Sequence, residues 1–332
     1  MENIKYKNRQ LDTVSLFSGA GGLDLGFLNA GFNIIWANDF DKYAVQSYKA
    51  NIGEHIYEGD INTLLEQIPP HEVLLAGFPC QPFSMMGAQL GFEDHRGTLF
   101  FTIETILRKH QPNIIVLENV KNLETHNKGE TFKRMKYILE EELGYEIFFS
   151  VLNTADYGIP QTRRRLFLVG FKKYFYDKKV KNFEFPPAPV PLQVEVQDIL
   201  DTEVDKKRFL SEKVLKTVLA TGTKNYVAKP EIDLKIARPL CATMHKMHRA
   251  SQDNYYTDNI NRATFEDTEQ RPISNVRMLT PNECRKLQGF PSDWKQVTSD
   301  LQAYRQFGNA VTVDVAYHVA KQIVKAIGIT IA

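Results

Sequence analysis

Val73-Leu74-Leu75-Ala76-Gly77-Phe78-Pro79-Cys80-Gln81-Pro82-Phe83-Ser84 joins an apolar run to a cysteine flanked by prolines at positions 79 and 82. The run reads as a buried strand of a parallel sheet. Open α/β sheets place their chemistry in the crevice at the carboxyl ends of their strands. A thiol at such an end is poorly suited to packing and well suited to meeting a ligand, which makes Cys80 a candidate nucleophile. The competing reading is a buried structural thiol, a common fate of free cysteine.

The same alternation of apolar runs and amphipathic stretches extends through the N-terminal half, the pattern of βαβ units. Strands are expected over 13–17, 33–37, 73–76, 113–117, 145–152 and 165–171. Helices fit over 23–30, 42–51, 99–109 and 131–143, two of them stopped by Gly31 and Gly144. Pro186-Pro187-Ala188-Pro189-Val190-Pro191 breaks the pattern as a stiff linker. Residues 192–276 have weaker periodicity and many polar groups. Core-like sequence resumes at Met278, where Thr280-Pro281-Asn282-Glu283 forms a helix start, and a long helix is expected over 313–327. The expected organisation is a cofactor-binding domain over 1–186, an inserted domain over 187–276 and a return segment over 277–332. The expected fold class is α/β, a Rossmann-like sheet with a second, smaller irregular domain.

The 332 residues carry 41 Lys and Arg against 40 Asp and Glu, a net charge of +1. Such a balance neither requires nor excludes a nucleic-acid partner, so the distribution decides. Gln161–Lys181 holds eight basic residues and one acid, and Lys235–Arg249 holds four basic residues and none. Either patch could meet phosphate. Three cysteines are too few for a disulfide framework, which predicts a reducing, cytoplasmic setting. The first residues lack the apolar centre of a signal peptide, and no run is long enough to span a bilayer.

The first strand runs into Phe17-Ser18-Gly19-Ala20-Gly21-Gly22 and then a helix. Glycines at such a turn admit a ligand to the backbone, and the helix start favours an anion. The adjacent Gly21 and Gly22 depart from the spacing of a dinucleotide site. Asp39 ends the second strand, where an acid holds ribose hydroxyls, and Phe40 follows as a surface for a purine. Asp60, beside Ile61, suits an adenine amino group. Together these residues describe a nucleoside cofactor without a pyrophosphate, and S-adenosylmethionine fits, leaving S-adenosylhomocysteine as product.

The chain resembles the DNA (cytosine-5)-methyltransferases of bacterial restriction–modification systems. The blocks that carry the resemblance are Phe17 to Gly22, Pro79-Cys80-Gln81, Asp94-His95-Arg96-Gly97-Thr98-Leu99, Glu118-Asn119-Val120, Gln161-Thr162-Arg163-Arg164-Arg165, Arg277 to Pro291 and Gln306-Phe307-Gly308-Asn309-Ala310-Val311. The resemblance implies an S-adenosylmethionine-dependent methyltransferase sheet and a DNA-recognition domain over 187–276. It implies that Cys80 adds to carbon 6 of a cytosine flipped from the duplex. It places Glu118 at ring nitrogen 3 and the exocyclic amine, Arg163 at the oxygen on carbon 2 and a phosphate, and Arg165 as a brace. Gly77, Pro79, Leu99, Asn309, Ala310 and Val311 would complete the cofactor pocket. Phe83–Arg96 would be a loop closing on DNA, with Gln81, Ser84 and Arg96 as contacts. Arg238, Thr243, Lys246 and Arg249 offer groups suited to the major groove.

A restriction endonuclease is the implied functional partner, and the implied state is a monomer on DNA, associated with the nucleoid. Cys241, His245 and His248 suggest a metal cluster, but no fourth ligand at structural-zinc spacing accompanies them, so no metal is expected. Cys241 and Cys284 are expected as buried thiols. Two alternatives share features of the chain. Transfer-RNA cytosine-5 methyltransferases share the Pro-Cys-Gln chemistry but typically carry a Cys-Phe-Thr tripeptide, absent here. A non-catalytic DNA-binding module would not need Cys80, Glu118 and the arginines.

Overall fold

The computed structural model describes residues 10–78, 99–188, 191–223, 226–266 and 272–328. These residues form two compact units. One contains the chain up to Asn153, Arg164–Pro187 and the chain from Val313 onward, and the other contains Thr154–Arg163 and Ala188–Thr312.

The first unit is built on β1 (Asp12–Leu16), α1 (Gly22–Asn29), β2 (Asn33–Asp39), α2 (Lys42–Asn51), β3 (Ile56–Glu58), α3 (Ile61–Leu64), β4 (Val73–Gly77), α4 (Leu99–His110), β5 (Ile114–Val120), α5 (Glu130–Tyr137), β6 (Tyr145–Asn153), β7 (Arg164–Lys172) and α6 (Lys173–Lys179). The strands form one sheet in the order β3-β2-β1-β4-β5-β7-β6. All neighbours are parallel except β7, which runs antiparallel to β5 and β6. The central strands are buried on both faces, as a covered parallel sheet requires: Val14, Leu16, Leu74, Ala76, Ile115 and Leu117 face one core, and Thr13, Ser15, Val73, Leu75, Ile114 and Val116 are buried on the other side. Strand order reverses between β1 and β4, and this switch point opens the crevice where α/β sheets bind ligands.

Local chemistry sets the helix ends. Asp41 caps α2 by accepting from the amides of Tyr43 and Ala44. Gly31 and Gly144 take positive φ values where helices stop, a conformation glycine adopts without the strain of a Cβ. The expected helix over 131–143 ends differently: α5 passes at Ile138 into a π turn that runs to Glu142.

The second unit contains β8 (Phe209–Ser211), α7 (Glu212–Val218), β9 (Gly222–Thr223), β10 (Tyr226–Val227), β11 (Tyr255–Thr257), α8 (Asn259–Arg262), β12 (Ile273–Met278), α9 (Pro281–Leu287) and α10 (Asp300–Asn309). β12 lies between β8 and β11 in an antiparallel sheet, and β9 pairs with β10. Thr280 and Glu283 form a reciprocal capping box at the start of α9, with Pro281 at its first position. Glu283 also takes both terminal nitrogens of buried Arg277 at 2.8 and 2.9 Å, while Asp258 takes the Arg277 Nε at 2.8 Å. These bonds tie β12 and α9 to the second unit. The chain therefore re-enters the first unit at Val313, later than the expected 277. There α11 (Val313–Ile327) packs on α1, where Gly26 lies so close to Ala316 that a Cβ would stand 2.4 Å from its side chain.

Candidate active site

Three chain segments meet at the carboxyl ends of β1, β2 and β3. Phe17 adopts φ 57°, outside the range most side chains favour, and turns the chain into the glycine segment. The Ser18 amide donates to the Asn38 carbonyl at 2.9 Å, and the Gly19 amide donates to Asp39 Oδ2 at 2.8 Å. Asp39 Oδ1 accepts from the Asp41 amide at 2.8 Å, and the Gly59 amide donates to the Asp39 carbonyl at 3.0 Å. Asn38 Nδ2 donates to the carbonyls of Tyr57 and Gly59, each at 3.0 Å. The sequence candidates Ser18, Gly19, Asp39 and the Gly59-Asp60 turn thus share one hydrogen-bonded edge. Burial pushes the Asp39 carboxyl above its usual range, against the amides that favour its anion.

The edge has the features a nucleoside sulfonium with a carboxylate requires. Gly21 caps α1 with no side-chain hydrogen bond at the cap. A Cβ on Gly19 would meet nothing within 4 Å, so the turn faces open space. Phe40 is 77% exposed directly beyond Asp39, a free aromatic face at a strand end. Asp60 caps α3 through the Asn62 amide, and Asn62 accepts from Thr102 of α4, the helix that begins at Leu99. Ala20 is buried and Gly22 begins α1. Ile61, the first residue of α3, is 2% exposed and belongs to the hydrophobic core.

A second cluster lies at the ends of β4, β5 and β7. Gly77 pairs with Glu118 in the β4–β5 register, and Val120 pairs with Arg165 across β5 and β7. The Arg165 guanidinium Nε stands 3.2 Å from Glu118 Oε1. Burial lowers the Arg165 pKa, opposed by the Glu118 charge. Asn119 Nδ2 donates at 2.8 Å to the carbonyl of Phe78, two residues before Cys80. Pro79, Cys80, Gln81, Ser84 and Arg96 lie outside the described residues.

Arg163 occupies a different setting. In the second unit its guanidinium donates to the carbonyls of Leu240 at 2.8 Å, Gly308 at 3.1 Å and Ala310 at 2.8 Å, and the residue is 1% exposed. Neighbouring Gln161 accepts from the Leu240 amide and donates to the Leu287 carbonyl. Gly308 is pressed against this strut: a Cβ would stand 2.3 to 2.4 Å from the backbone of Cys241 and Ala242. Backbone carbonyls thus engage the guanidinium of Arg163, the arginine expected at the base, while Arg165, expected as a brace, is the one beside Glu118.

The chain matches the model of the C-5 cytosine-specific DNA methylase family over residues 11–325. The chain belongs to this family. Type II methyltransferase M.DsaV of Dactylococcopsis salina is 37% identical over 98% of this chain and 89% of its own. M.HhaI of Haemophilus parahaemolyticus is 37% identical over 96% of this chain and 97% of its own. Among solved structures, S. pombe Dnmt2 methyltransferase aligns with a TM-score of 0.74 at 19% identity, over 95% of this chain and 99% of that one. The Entamoeba histolytica methyltransferase EhMeth aligns at 0.72 and 21%, over 96% and 99%. These two likenesses establish the fold alone. As a C-5 cytosine-specific DNA methylase of the Type II kind, the enzyme acts on DNA and draws its methyl group from S-adenosylmethionine.

The remaining candidates of the methylase lie in its second unit. Asn309 is exposed, and Ala310 and Val311 are buried at the end of α10. Thr243 and Lys246 are exposed and Arg249 is half-buried. The Arg238 guanidinium donates to the carbonyl and the carboxylate of Glu231 at 3.2 and 3.0 Å. Cys284 is buried as expected, whereas Cys241 is only half-buried. Cys241, His248 and Asp253 come together, with Asp253 where the sequence reading considered His245. Hydrogen bonds engage this trio: the Cys241 thiol donates to Asp253 at 3.4 Å, and His248 Nε2 stands 3.0 Å from Thr243 Oγ1. No helix of the described residues is long and apolar enough to cross a membrane.

Proposed function

We propose that this methylase modifies carbon 5 of one cytosine within a specific duplex sequence, after the base has rotated out of the helix, with Cys80 as nucleophile. A stacked cytosine cannot present carbon 6 to a thiolate, and extrusion costs a few kcal/mol, which protein contacts offset. The Cys80 thiolate forms a bond to carbon 6, and the ring electrons move to make carbon 5 nucleophilic. Glu118 hydrogen-bonds nitrogen 3 and the exocyclic amine, sharing a proton at nitrogen 3 as negative charge develops there. Arg165 donates to the oxygen on carbon 2. S-adenosylmethionine supplies an electrophilic methyl group on a sulfonium. Carbon 5 would take the methyl group as the donor's carbon–sulfur bond breaks and S-adenosylhomocysteine leaves; a base then removes the carbon 5 proton, and the bond from carbon 6 to Cys80 breaks to restore the ring.

The observation that carries this reading is the Glu118–Arg165 pair, 3.2 Å apart at the end of the strand beside the one leading to Cys80. An acid and an arginine fit the hydrogen-bonding edge of a single cytosine. The donor is assigned to the Ser18–Gly22 turn, Asp39, Phe40 and Asp60, with Leu99 at the start of α4. Sequence reading is assigned to the second unit through Thr243, Lys246 and Arg249. The enzyme acts as a monomer in the cytoplasm, at the nucleoid, and protects its own DNA from a partner endonuclease.

Transfer of labelled methyl groups from S-adenosylmethionine to duplex DNA tests the reading. Duplex DNA should be labelled, transfer RNA should not, and Cys80→Ser should abolish the signal. Robust labelling by Cys80→Ser, or preference for transfer RNA, would contradict it.

A further inference from the structure

Asp24 is an acid inside an otherwise apolar helix turn, Gly22-Leu23-Asp24-Leu25-Gly26-Phe27, and it is 0% exposed. A carboxyl group at such depth persists only with hydrogen-bonding partners. Its Oδ1 accepts from Ser15 Oγ at 2.6 Å and its Oδ2 accepts from Tyr48 Oη at 2.7 Å. Ser15 in turn accepts from Ser18 Oγ, through its own Oγ at 3.0 Å and its carbonyl at 3.2 Å. Tyr48 has one hydroxyl proton, and Asp24 takes it. His55, whose Nε2 lies 3.0 Å from the same oxygen, therefore carries its proton on Nε2. A continuous polar chain thus runs His55, Tyr48, Asp24, Ser15, Ser18, linking α2, α1 and β1.

We propose that Asp24 is a positioning residue for the methyl donor, acting through Ser15 and Ser18 on the glycine turn. By fixing the Ser15 hydroxyl, the carboxylate directs its acceptor side to Ser18 and anchors the turn from beneath. Asp39 holds the same turn from the side through Gly19. Tyr48 completes the support: a Cβ on Gly21 would stand 3.0 and 3.1 Å from its ring. The turn then presents the uncapped amides of the first turn of α1 to the donor carboxylate in one geometry. The network includes neither Glu118 nor Arg165, so its loss weakens donor binding and leaves turnover intact at saturation.

This inference rests on the assignment of the donor to the Ser18–Gly22 turn, and the experiment separates the two. Steady-state kinetics and calorimetry with S-adenosylhomocysteine are measured for Asp24→Ala, Asp24→Asn, Ser15→Ala and Phe40→Ala. Asp24→Ala should raise the KM for S-adenosylmethionine about tenfold or more, the scale of lost buried hydrogen bonds, with kcat and the KM for DNA within about twofold. Asp24→Asn keeps one acceptor and should recover most of that loss. Ser15→Ala retains the carboxylate, removes the hydroxyl that joins it to Ser18, and should weaken the donor as well. It also serves if Asp24→Ala does not fold. Normal donor affinity in folded Asp24→Ala and Ser15→Ala, with Phe40→Ala weakened, would overturn the role of Asp24 alone. Normal affinity in Phe40→Ala as well would overturn the placement of the donor.

Discussion

Asn119 holds the carbonyl of Phe78 through a 2.8 Å hydrogen bond from its side-chain amide, joining the end of β5 to the chain that leaves β4. The Val120 amide donates to Asn119 Oδ1 at 2.8 Å, so the amide group is fixed from both sides. Only Pro79 separates Phe78 from Cys80. The residue after Glu118 thus holds the end of the strand that leads to Cys80. Asn119→Ala should lower kcat by about one to two orders of magnitude, because an error of about 1 Å in attack geometry costs that much. Donor affinity should stay unchanged in calorimetry, and equal loss of donor binding would count against this role.

The two arginines of the Gln161–Arg165 block should separate by stability. Arg163→Ala leaves three buried carbonyls without their guanidinium, at about 1–3 kcal/mol each, and should cause a clear fall in Tm. Arg165→Ala should lower Tm less than Arg163→Ala, because it breaks one ion pair rather than three buried hydrogen bonds, and lose about 10²–10³ in kcat, the scale for removing one charge-stabilising donor. A destabilised Arg165→Ala beside a stable, inactive Arg163→Ala would restore the opposite assignment.

Arg277 is fully buried between Glu283 and Asp258. Removing one partner of such a network costs more than replacing the whole with apolar groups. Arg277→Ala should destabilise by about 3–5 kcal/mol in chemical denaturation. A change below about 1 kcal/mol would mean that water reaches the two carboxylates in the variant.

Burial pushes the Asp24 carboxyl up to about 6, from an unfolded value near 3.9. The folded protein therefore holds this proton more tightly than the unfolded chain. The stabilising contribution is complete below about pH 4 and is lost as pH rises through about 6, on the order of 3 kcal/mol. Asp24→Asn has no such loss, so its stability relative to the parent should rise between pH 4 and 7. A difference independent of pH would show that the carboxyl titrates normally.

Much of the fold was legible because the central strands carry unbroken apolar runs and the helices have caps and glycine stops. Glu118 and Asp39 were visible as acids at or near the ends of such runs. Other features depend on pairing. β3, only Ile56–Glu58, is too short to carry a pattern. The arginine that meets Glu118 is set by the β5–β7 register, which places Arg165 opposite Val120. The core-like sequence after 277 belongs with the second unit because β12 finds its partners in β8 and β11. Asp24 left a signal, an acid in an apolar turn, which reads equally as a favourable charge at a helix start.

The central claim is a covalent bond between Cys80 and an extrahelical cytosine, and a substrate that cannot lose its carbon 5 substituent should capture it. Duplex DNA carrying 5-fluorocytosine at the target position, incubated with S-adenosylmethionine and digested, should yield one crosslinked peptide containing position 80. A crosslink at another residue, or methylated product released from the fluorinated duplex without any adduct, would contradict the account.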